Sequence, residues 1–381
     1  MLDTMNDYPH QIQQLLAEAH PLAEGPTKVA LIERAVQLAD AHQDLQAGYQ
    51  TRVRLMGAAL SGGQPDLLLV AFSWCLAQSE RDPQQFPEVE ILWQFRWVIS
   101  ELVEFPNISK AQIDELFADM ERRYRRAGST LRAFHTLRRM VALDMGDRAA
   151  ADAAHDALTK SLRDWLSDGP DAETSFLVDY LVFTGQDTAA VERAWLFLAG
   201  RQTSSHHLGF LHAKLLLPLL KLGRGDAAAR SHLAGYRLVM RNARYVPRFA
   251  EHLMFLALTG NFPRAFRLLE RHLSEAVGTV SDFSRMQFYH AGRLLLEQVA
   301  ATGRTGLRLR LPPEIGCYAE AGRYEPNALA AWFAGQSLAS AGRFDARNGN
   351  DYYTRLFTDL AELRKLAVPV PLPLRSEDSP T

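Results

Sequence analysis

The residues best suited to bind a partner are arginines and histidines that recur at intervals of about 40 residues. Arg52, Arg96, His135 and His212 occupy an equivalent position in different segments of the chain, and Trp93 lies one helical turn from Arg96. A guanidinium group binds a carboxylate through two parallel hydrogen bonds, so a row of such groups suits an acidic peptide or a terminal carboxylate. We therefore predict that these five residues contact a partner. The alternative is that they form a solvated helix face.

A second candidate is the basic segment from Arg122 to Arg139, which holds seven arginines with Tyr124, Phe134 and His135 between them. Arginines bind phosphates and aromatic side chains stack on bases, so this segment could bind a nucleic acid or another polyanion. The alternative is that its arginines lie on the solvated surface of a long helix. The predicted polyanion-binding residues are Arg122, Arg123, Arg125, Arg126 and Arg132.

Catalytic and metal-binding patterns are not found in the sequence. No HExxH pair occurs, no glycine-rich phosphate loop follows a strand, and no GxSxG motif is present. We therefore predict that the protein is not an enzyme and has no cofactor or bound metal. The histidines are predicted to lie in the core or on the surface; they include His206, His207, His212, His252, His272 and His290. The aromatic residues Phe72, Trp74, Phe86, Trp93, Phe95 and Trp97 are predicted to pack between helices, with Trp93 as the one possible peptide anchor.

Helical hairpins must position these residues, because glycine elbows divide the chain at regular points. In the stretch from Ala257 to Leu273, an apolar helix end is followed by Gly260 and by a new amphipathic helix with Pro263 in its first turn. Glycine ends a helix in the left-handed conformation, and proline in a first turn removes no helical hydrogen bond. The same pattern recurs at Gly146, Gly185, Gly223 and Gly342.

The elbows have a long and sustained period. Asn107 is taken to replace glycine at one elbow, because asparagine adopts the left-handed conformation more readily than most residues. Successive elbows are then 37 residues apart at the least, from Gly223 to Gly260, and 44 at the most, from Gly63 to Asn107. Two helices with their turns need this length, and such a period indicates a solenoid. The sequence predicts an all-α, right-handed α-solenoid of about nine antiparallel helical hairpins.

Small residues follow the elbows, and a leucine or an aromatic residue comes several positions later. The small residues are Ala149 to Ala151, Ala189, Ala190, Ala227 to Ala229 and Ala265. In this pattern the chain resembles the tetratricopeptide-repeat (TPR-like) superfamily, although its repeat is longer than the usual length of about 34 residues. The longer period is closer to helical repeats of bacterial regulators and sensors. The resemblance implies a scaffold or peptide receptor in which the first helix of each hairpin lines the concave face.

The helical pattern breaks after Gly303. Leu307, Leu309 and Leu311 alternate with arginines, and two prolines follow. Alternation with a period of two and a proline pair predict an extended, irregular segment near residues 303–325 instead of a helix. This segment either caps the array or forms a functional loop.

The hairpins are predicted to form one array over residues 1–366. Its last hairpin would consist of Pro326 to Ser340 and Asn348 to Leu366. A proline-rich, flexible C-terminal tail is predicted for residues 367–381.

The composition is that of a soluble globular protein. Hydrophobic residues make up 47% and charged residues 23% of the chain, and the longest apolar runs are too short to span a membrane. The N-terminus carries acids where a secretory signal needs positive charge. Cys75 and Cys317 lie in apolar surroundings, which suits a reducing compartment. We predict a cytoplasmic protein without a membrane partner, and the predominance of arginine over lysine indicates a bacterial source.

The function predicted from these features is a non-enzymatic scaffold or adaptor that holds a protein or peptide, with an acidic peptide as one candidate, on a concave helical surface. One alternative is a regulatory sensor that binds a small ligand or signal peptide and acts through a separate output partner. A weaker alternative is nucleic-acid binding through residues 122–139. The sequence leaves the oligomeric state open.

Overall fold

The computed structural model describes residues 7–198 and 205–373, except for the side chains of residues 205 and 206. This part of the chain is predominantly α-helical, and the predicted all-α fold is confirmed. No helix within it is both long enough and apolar enough to cross a lipid bilayer. The helices form two compact units. The first unit contains the described chain up to Val103 together with Ala111–Phe134 and Ser161–Leu166, and the second contains the remaining described residues.

The first unit consists of helices that pack in chain order. Its α-helices are α1 (Tyr8–Ala19), α2 (Pro26–Ala41), α3 (Leu45–Ser61), α4 (Pro65–Arg81), α5 (Gln94–Val103) and α6 (Lys110–Arg126), with a 3-10 turn at Glu88–Glu90. From α1 to α5, each helix packs on the next. Tyr49, Met56, Phe72 and Phe95 are buried between them, and the rings of Phe72 and Phe95 meet edge to face at 4.8 Å.

The second unit contains Glu104–Lys110 and then continues from His135, which lies within α7. Its α-helices are α7 (Arg132–Asp144), α8 (Arg148–Lys160), α9 (Pro170–Phe183), α10 (Asp187–Leu198), α11 (Ser205–Lys214), α12 (Leu216–Lys221), α13 (Gly225–Val239), α14 (Val246–Leu258), α15 (Phe262–Gly278), α16 (Asp282–Ala301), α17 (Pro326–Asn348), α18 (Tyr352–Thr358) and α19 (Leu360–Arg364), with a 3-10 turn at Ala243–Tyr245. The first helices of successive hairpins pack side by side in the order α9, α11, α14, α16 and α17. Helices α10, α13 and α15 each pack on the first helix of their own hairpin. This arrangement is the repeating architecture that the elbows predicted.

Glycine produces the sharp turns between paired helices. Gly146, Gly185, Gly223 and Gly260 have φ values of 68°, 76°, 68° and 71°, in the left-handed region that other residues rarely adopt. The residue after each glycine donates its amide hydrogen to a carbonyl in the last turn of the preceding helix, as when the Arg224 amide bonds the Leu219 carbonyl at 2.8 Å. These bonds satisfy carbonyl groups that would otherwise lack a partner at a helix end.

Two predicted elbows differ from the structure. Asn107 lies between α5 and α6, but its φ is not positive. Gly342 lies inside the continuous helix α17, which ends at Asn348 and is capped by Gly349 with a φ of 72°. Ala341 and Phe344 on either side of Gly342 are fully buried, and this packing outweighs the cost of about 1 kcal/mol for a glycine within a helix.

A break divides the first helix of the hairpin whose elbow is Gly223. Helix α11 ends at Lys214 and α12 begins at Leu216. Pro218 has no amide hydrogen to donate to the carbonyl four residues earlier, so the helical ladder is interrupted at that point. The break leaves Lys214 at the end of a helix in the middle of the unit.

The extended segment predicted after Gly303 is confirmed. Strand β1 (Leu307–Arg308) pairs antiparallel with β2 (Arg323–Tyr324), with Leu307 opposite Tyr324. Leu307, Leu309 and Leu311 are buried, whereas the arginines between them are exposed. The alternation in the sequence therefore arises because the leucine face of the segment packs on the core and the arginine face lies in water.

The C-terminal helices of the second unit contact its first elbow. The Tyr353 hydroxyl donates to the Asp144 carbonyl at 2.7 Å, and the Asn350 side-chain amide donates to the Met145 carbonyl at 2.8 Å. Residues 367–373 of the predicted tail lie extended beside the elbow between α14 and α15. Residues 374–381 lie outside the described part of the chain.

Candidate protein-binding site

Charged residues interrupt the apolar first helices of the second unit. Asp179 lies within the sequence FLVDYLVF of α9, Lys214 ends α11, and Glu251 follows Phe249 and Ala250 in α14. Their side chains retain 27%, 21% and 16% exposure, so they are surrounded by protein atoms but still reach water. Together with their charged neighbours they form what we call the charged cluster. Its members are Glu104, Asp144, Asp179, Lys214, Arg248 and Glu251.

Lys214 links two helices of the charged cluster. Its Nζ lies 2.7 Å from Asp179 Oδ1 and 3.3 Å from Glu251 Oε1. Burial lowers the pKa of Lys214, but the two carboxylates outweigh burial and raise this pKa above its ordinary value. Lys214 is therefore charged at neutral pH and holds α9 and α14 against the end of α11.

Arg248 is the second cation of the charged cluster. Its Nη1 lies 3.0 Å from Glu251 Oε2, and its guanidinium carbon lies 4.5 Å from the centre of the Phe210 ring. The negative face of an aromatic ring attracts a cation at this distance. Arg248 and Lys214 share Glu251, so this carboxylate is the best neutralised of the cluster.

Asp144 stands apart from these pairs. Burial, together with the negative charges of Asp179 and Glu104, raises the pKa of its carboxyl group to about 7 against the opposing effect of Lys214 and Arg248. Among the described residues, its carboxylate makes no hydrogen bond or close ion pair, although the Arg347 guanidinium lies near enough for the two charges to interact. Asp144 therefore titrates near neutral pH and is open to a proton or an added cation.

Glu104 adds a further carboxylate to this surface. Burial raises the pKa of Glu104, while a hydrogen bond from the Ser281 side chain lowers it. The cluster thus brings four carboxylates together with two cations, and each cation already pairs with a carboxylate. Arg244 and Arg347 also lie near enough to act on Glu104 and Asp144, so the feature of this surface that suits a positively charged partner group is the half-buried Asp144 carboxylate itself.

Three residues of the predicted partner-binding row lie in the first unit, where each contacts another side chain. The Arg52 guanidinium donates to both carboxylate oxygens of Asp40, at 2.9 and 2.7 Å, and stacks on Trp74 at 4.0 Å. The Arg96 guanidinium stacks on Trp93 at 4.6 Å. Both arginines are buried and Trp93 is half-buried. The structure thus brings Trp93 and Arg96 together, as their spacing predicted.

The other two residues of the predicted row, His135 and His212, lie in the second unit and are half-buried. The Nδ1 atom of His212 is 3.4 Å from the Ser231 hydroxyl. A Cβ atom added at Gly235 would lie 2.5 Å from the Cβ of His212, so this histidine packs between α11 and α13. Burial lowers the pKa of His212, which is therefore neutral at pH 7.

Acidic neighbours surround the predicted polyanion-binding arginines. Arg123 is buried and binds the carboxylates of Glu80, Glu88 and Asp119. The exposed residues Arg122 and Arg125 pair with Asp119 and Glu121 of the same helix, Arg126 lies 4.0 Å from Glu88, and Arg132 donates to the Ser161 carbonyl at 2.7 Å. The nearby carboxylates offset much of the positive charge that a phosphate backbone would need.

Several histidines form a buried polar network in the second unit. The Nδ1 atoms of His232 and His252 are 3.1 Å apart, and the Tyr236 hydroxyl is 2.8 Å from His272 Nε2. His272 Nδ1 lies 2.6 Å from Glu275. Burial and the neighbouring positive groups hold the pKa of His252 well below its ordinary value, so His252 is neutral.

The remaining histidines have different surroundings. His290 is buried and stacks on Phe357 at 3.9 Å, and burial lowers its pKa to about 3. His207 faces the Ser175 hydroxyl at 3.3 Å. The side chain of His206 lies outside the described residues. Across residues 7–198 and 205–373, histidine, cysteine and acidic side chains nowhere form a group of three or more that could hold a metal ion.

Sequence reasoning missed the charged cluster, although a signal for it was present. A lone charged residue inside an apolar helix is costly to bury unless it is paired or reaches water. Asp179 and Lys214 are such residues. The arginines and histidines of the predicted row were instead chosen at eleven residues before each elbow, and before Gly260 this position is Phe249, which lies in the core.

No protein-family model matches the chain. No curated protein matches its sequence either.

Proposed function

We propose that this chain is a non-enzymatic scaffold that binds a protein or peptide, and that the charged cluster of the second unit recognises a positively charged side chain of that partner. The observation that carries the proposal is the Asp144 carboxylate, which is half-buried, unpaired among the described residues and close to two other carboxylates. A lysine or arginine from a partner would relieve this repulsion and gain a charge-assisted hydrogen bond.

The arrangement of helices supports the same proposal. Consecutive first helices of a helical-repeat protein present one side chain after another along a surface, which suits an extended segment or a helix of a partner. The charged cluster draws its members from α7, α9, α11 and α14 and, at Glu104, from the connection after α5, so a bound segment would contact several repeats at once. Each repeat adds a contact, and specificity comes from the sequence of charges along the row.

The proposal makes binding dependent on pH. The partner's cation is attracted only while Asp144 is ionised, and the pKa of this carboxyl group is raised to about 7 in the unbound chain. Binding should therefore weaken as the pH falls from 8 to 6. A bound cation would itself lower the pKa of Asp144, so the complex should release a proton in part when it forms near pH 7.

Random peptides displayed on phage and selected against the full chain at pH 8 test this proposal. The selected peptides should be enriched in lysine and arginine, and one of them should bind D144N about tenfold more weakly than the unmodified chain. The control is E320Q, which removes the same charge at an exposed position. Selected peptides without basic residues, or equal affinity for D144N and E320Q, would refute the proposal.

A further inference from the structure

The segment Val368 to Pro373 is bound to the second unit as an extended peptide. The Val368 amide donates to the Leu258 carbonyl at 3.0 Å, and the Val370 amide donates to the Thr259 carbonyl at 3.3 Å. The side-chain amide of Asn261 donates to the Val370 carbonyl at 2.9 Å. The acceptors belong to the end of α14, where carbonyl groups have no partner within the helix. The elbow between α14 and α15 therefore offers two carbonyl acceptors and one side-chain donor to an extended chain.

The side chains of this segment alternate between the protein and water. Val370 and Leu372 are buried, whereas Pro369, Pro371 and Pro373 are exposed. The prolines occupy positions whose nitrogen need not donate a hydrogen bond, so they stiffen the segment without loss of contacts. Proteins usually bind an extended peptide in this way, through hydrogen bonds to its backbone and through pockets for every second side chain.

The backbone of Gly225 forms one wall of the pocket that holds the Val370 side chain, which we call the valine pocket. A Cβ atom added at Gly225 would lie 2.9 Å from a methyl carbon of Val370, so this pocket depends on the absence of a side chain at Gly225. Gly225 is the first residue of α13 and is not in the left-handed region. Glycine is therefore needed at position 225 because Val370 packs closely against it, and not because the backbone conformation requires glycine.

The groove is larger than the segment that occupies it. A cavity of about 620 Å³ lies between residues 368–371 and the side chains of Trp195, Leu220, Arg224 and Arg230. This volume is within the range of small-ligand pockets and is not filled by the valines and prolines of the segment. The segment therefore occupies only part of the groove and leaves open space at its side.

We propose that the groove formed by α12, α13 and the elbow between α14 and α15 is a docking site for an extended partner peptide in which valine or leucine alternates with proline, and that the chain's own segment Val368 to Pro373 holds this site until the partner displaces it. The groove shares no residue with the charged cluster, so this inference does not depend on the function proposed above. The chain's own segment competes at high effective concentration because it is tethered nearby. Binding of a partner peptide should therefore be weak until the segment is released.

The test uses the full chain with the substitutions V370D and L372D, which expel the two buried anchors. The probe is a fluorescein-labelled synthetic peptide with the sequence of residues 366–375, LAVPVPLPLR. In fluorescence anisotropy, the doubly substituted chain should bind the probe at least about tenfold more tightly than the unmodified chain. The matched control is V368D, which places the same charge at an exposed position of the segment and should leave the groove occupied.

Two further measurements locate the site. Adding G225L to the doubly substituted chain should abolish probe binding, because the new side chain fills the valine pocket. A probe with aspartate in place of its second valine and second leucine should not bind. The milder substitution V370S should increase probe binding in the same direction but less than the double substitution, with helix content checked by circular dichroism.

Three results would overturn the inference. The doubly substituted chain could retain its helix content and still not bind the probe, or it could bind the probe equally well with G225L. Light scattering could also show that the unmodified chain forms dimers and that the doubly substituted chain does not. The occupant of the groove would then be the segment of a second copy of this chain and not a partner peptide. The substitution D144N should leave probe binding unchanged, so failure of this inference and failure of the proposed function are separable.

Discussion

The substitution of alanine for Gly146 tests whether the contact between the first elbow and the C-terminal helices of the second unit contributes to stability. Gly146 has a φ of 68°, and a Cβ atom added there would lie 2.2 Å from Cγ of Tyr352. That distance is far below any van der Waals contact, so either the Tyr352 ring or the elbow must move. Tyr352 also lies against Phe183, with ring centres 5.8 Å apart, which limits where the ring can go.

A second elbow separates the cost of backbone strain from the cost of overlap. Gly223 also has a φ of 68°, but a Cβ atom added there has no neighbour within 4 Å. G223A should therefore cost only the strain of a left-handed residue, about 1 kcal/mol. G146A carries the same strain and adds overpacking against an aromatic ring, about 1–3 kcal/mol more. The expected difference between the two variants is thus at least about 1 kcal/mol.

Urea unfolding followed by far-ultraviolet circular dichroism measures both variants under the same conditions. G146A should lower the free energy of unfolding more than G223A, with similar slopes against urea. The double-mutant cycle with Y352A identifies the cause: in the Y352A background, G146A should cost no more than G223A does in the unmodified chain. Equal losses for G146A and G223A, or no coupling between Gly146 and Tyr352, would refute the reasoning.

Two other substitutions test charged residues. Because the pKa of Asp144 is raised to about 7 on folding, the folded chain binds this proton more tightly than the unfolded chain, so stability falls as the pH rises from about 4 to about 7 and the loss is complete above pH 7. D144N should therefore raise the free energy of unfolding by about 2 kcal/mol at pH 8 and change it little at pH 4. An equal increase at both pH values would contradict a raised pKa for Asp144. R123A should lower the free energy of unfolding by about 3 kcal/mol because it leaves three carboxylates without their shared cation. R122A removes an exposed arginine and should cost less than about 0.5 kcal/mol, and equal losses for the two arginine variants would show that burial of Arg123 is unimportant.

Much of the fold could be predicted from short-range signals in the sequence. A glycine that ends a helix and a proline that begins the next act through their own backbone preferences, so Gly146, Gly185 and Gly223 mark elbows without reference to distant residues. Alternation at Leu307, Leu309 and Leu311 indicated strand-like structure for the same reason. Gly342 shows the limit of such signals, since the buried neighbours of this glycine continue the helix.

The candidate sites required distances that no local pattern contains. Asp40 pairs with Arg52 from a neighbouring helix, and Asp179 and Glu251 reach Lys214 from opposite directions along the chain. The pKa of each charged group depends on such neighbours and on burial, and both are properties of the packed structure.

The sequence by itself determined the repeating helical hairpins of this protein, because backbone propensity and periodicity act over a few residues. Only the tertiary structure decided which charges meet in the charged cluster, and only it brought Val370 from the predicted tail into a groove more than a hundred residues away in sequence. Burial, charge repulsion and backbone hydrogen bonding act between atoms that are close in space, whatever their separation along the chain.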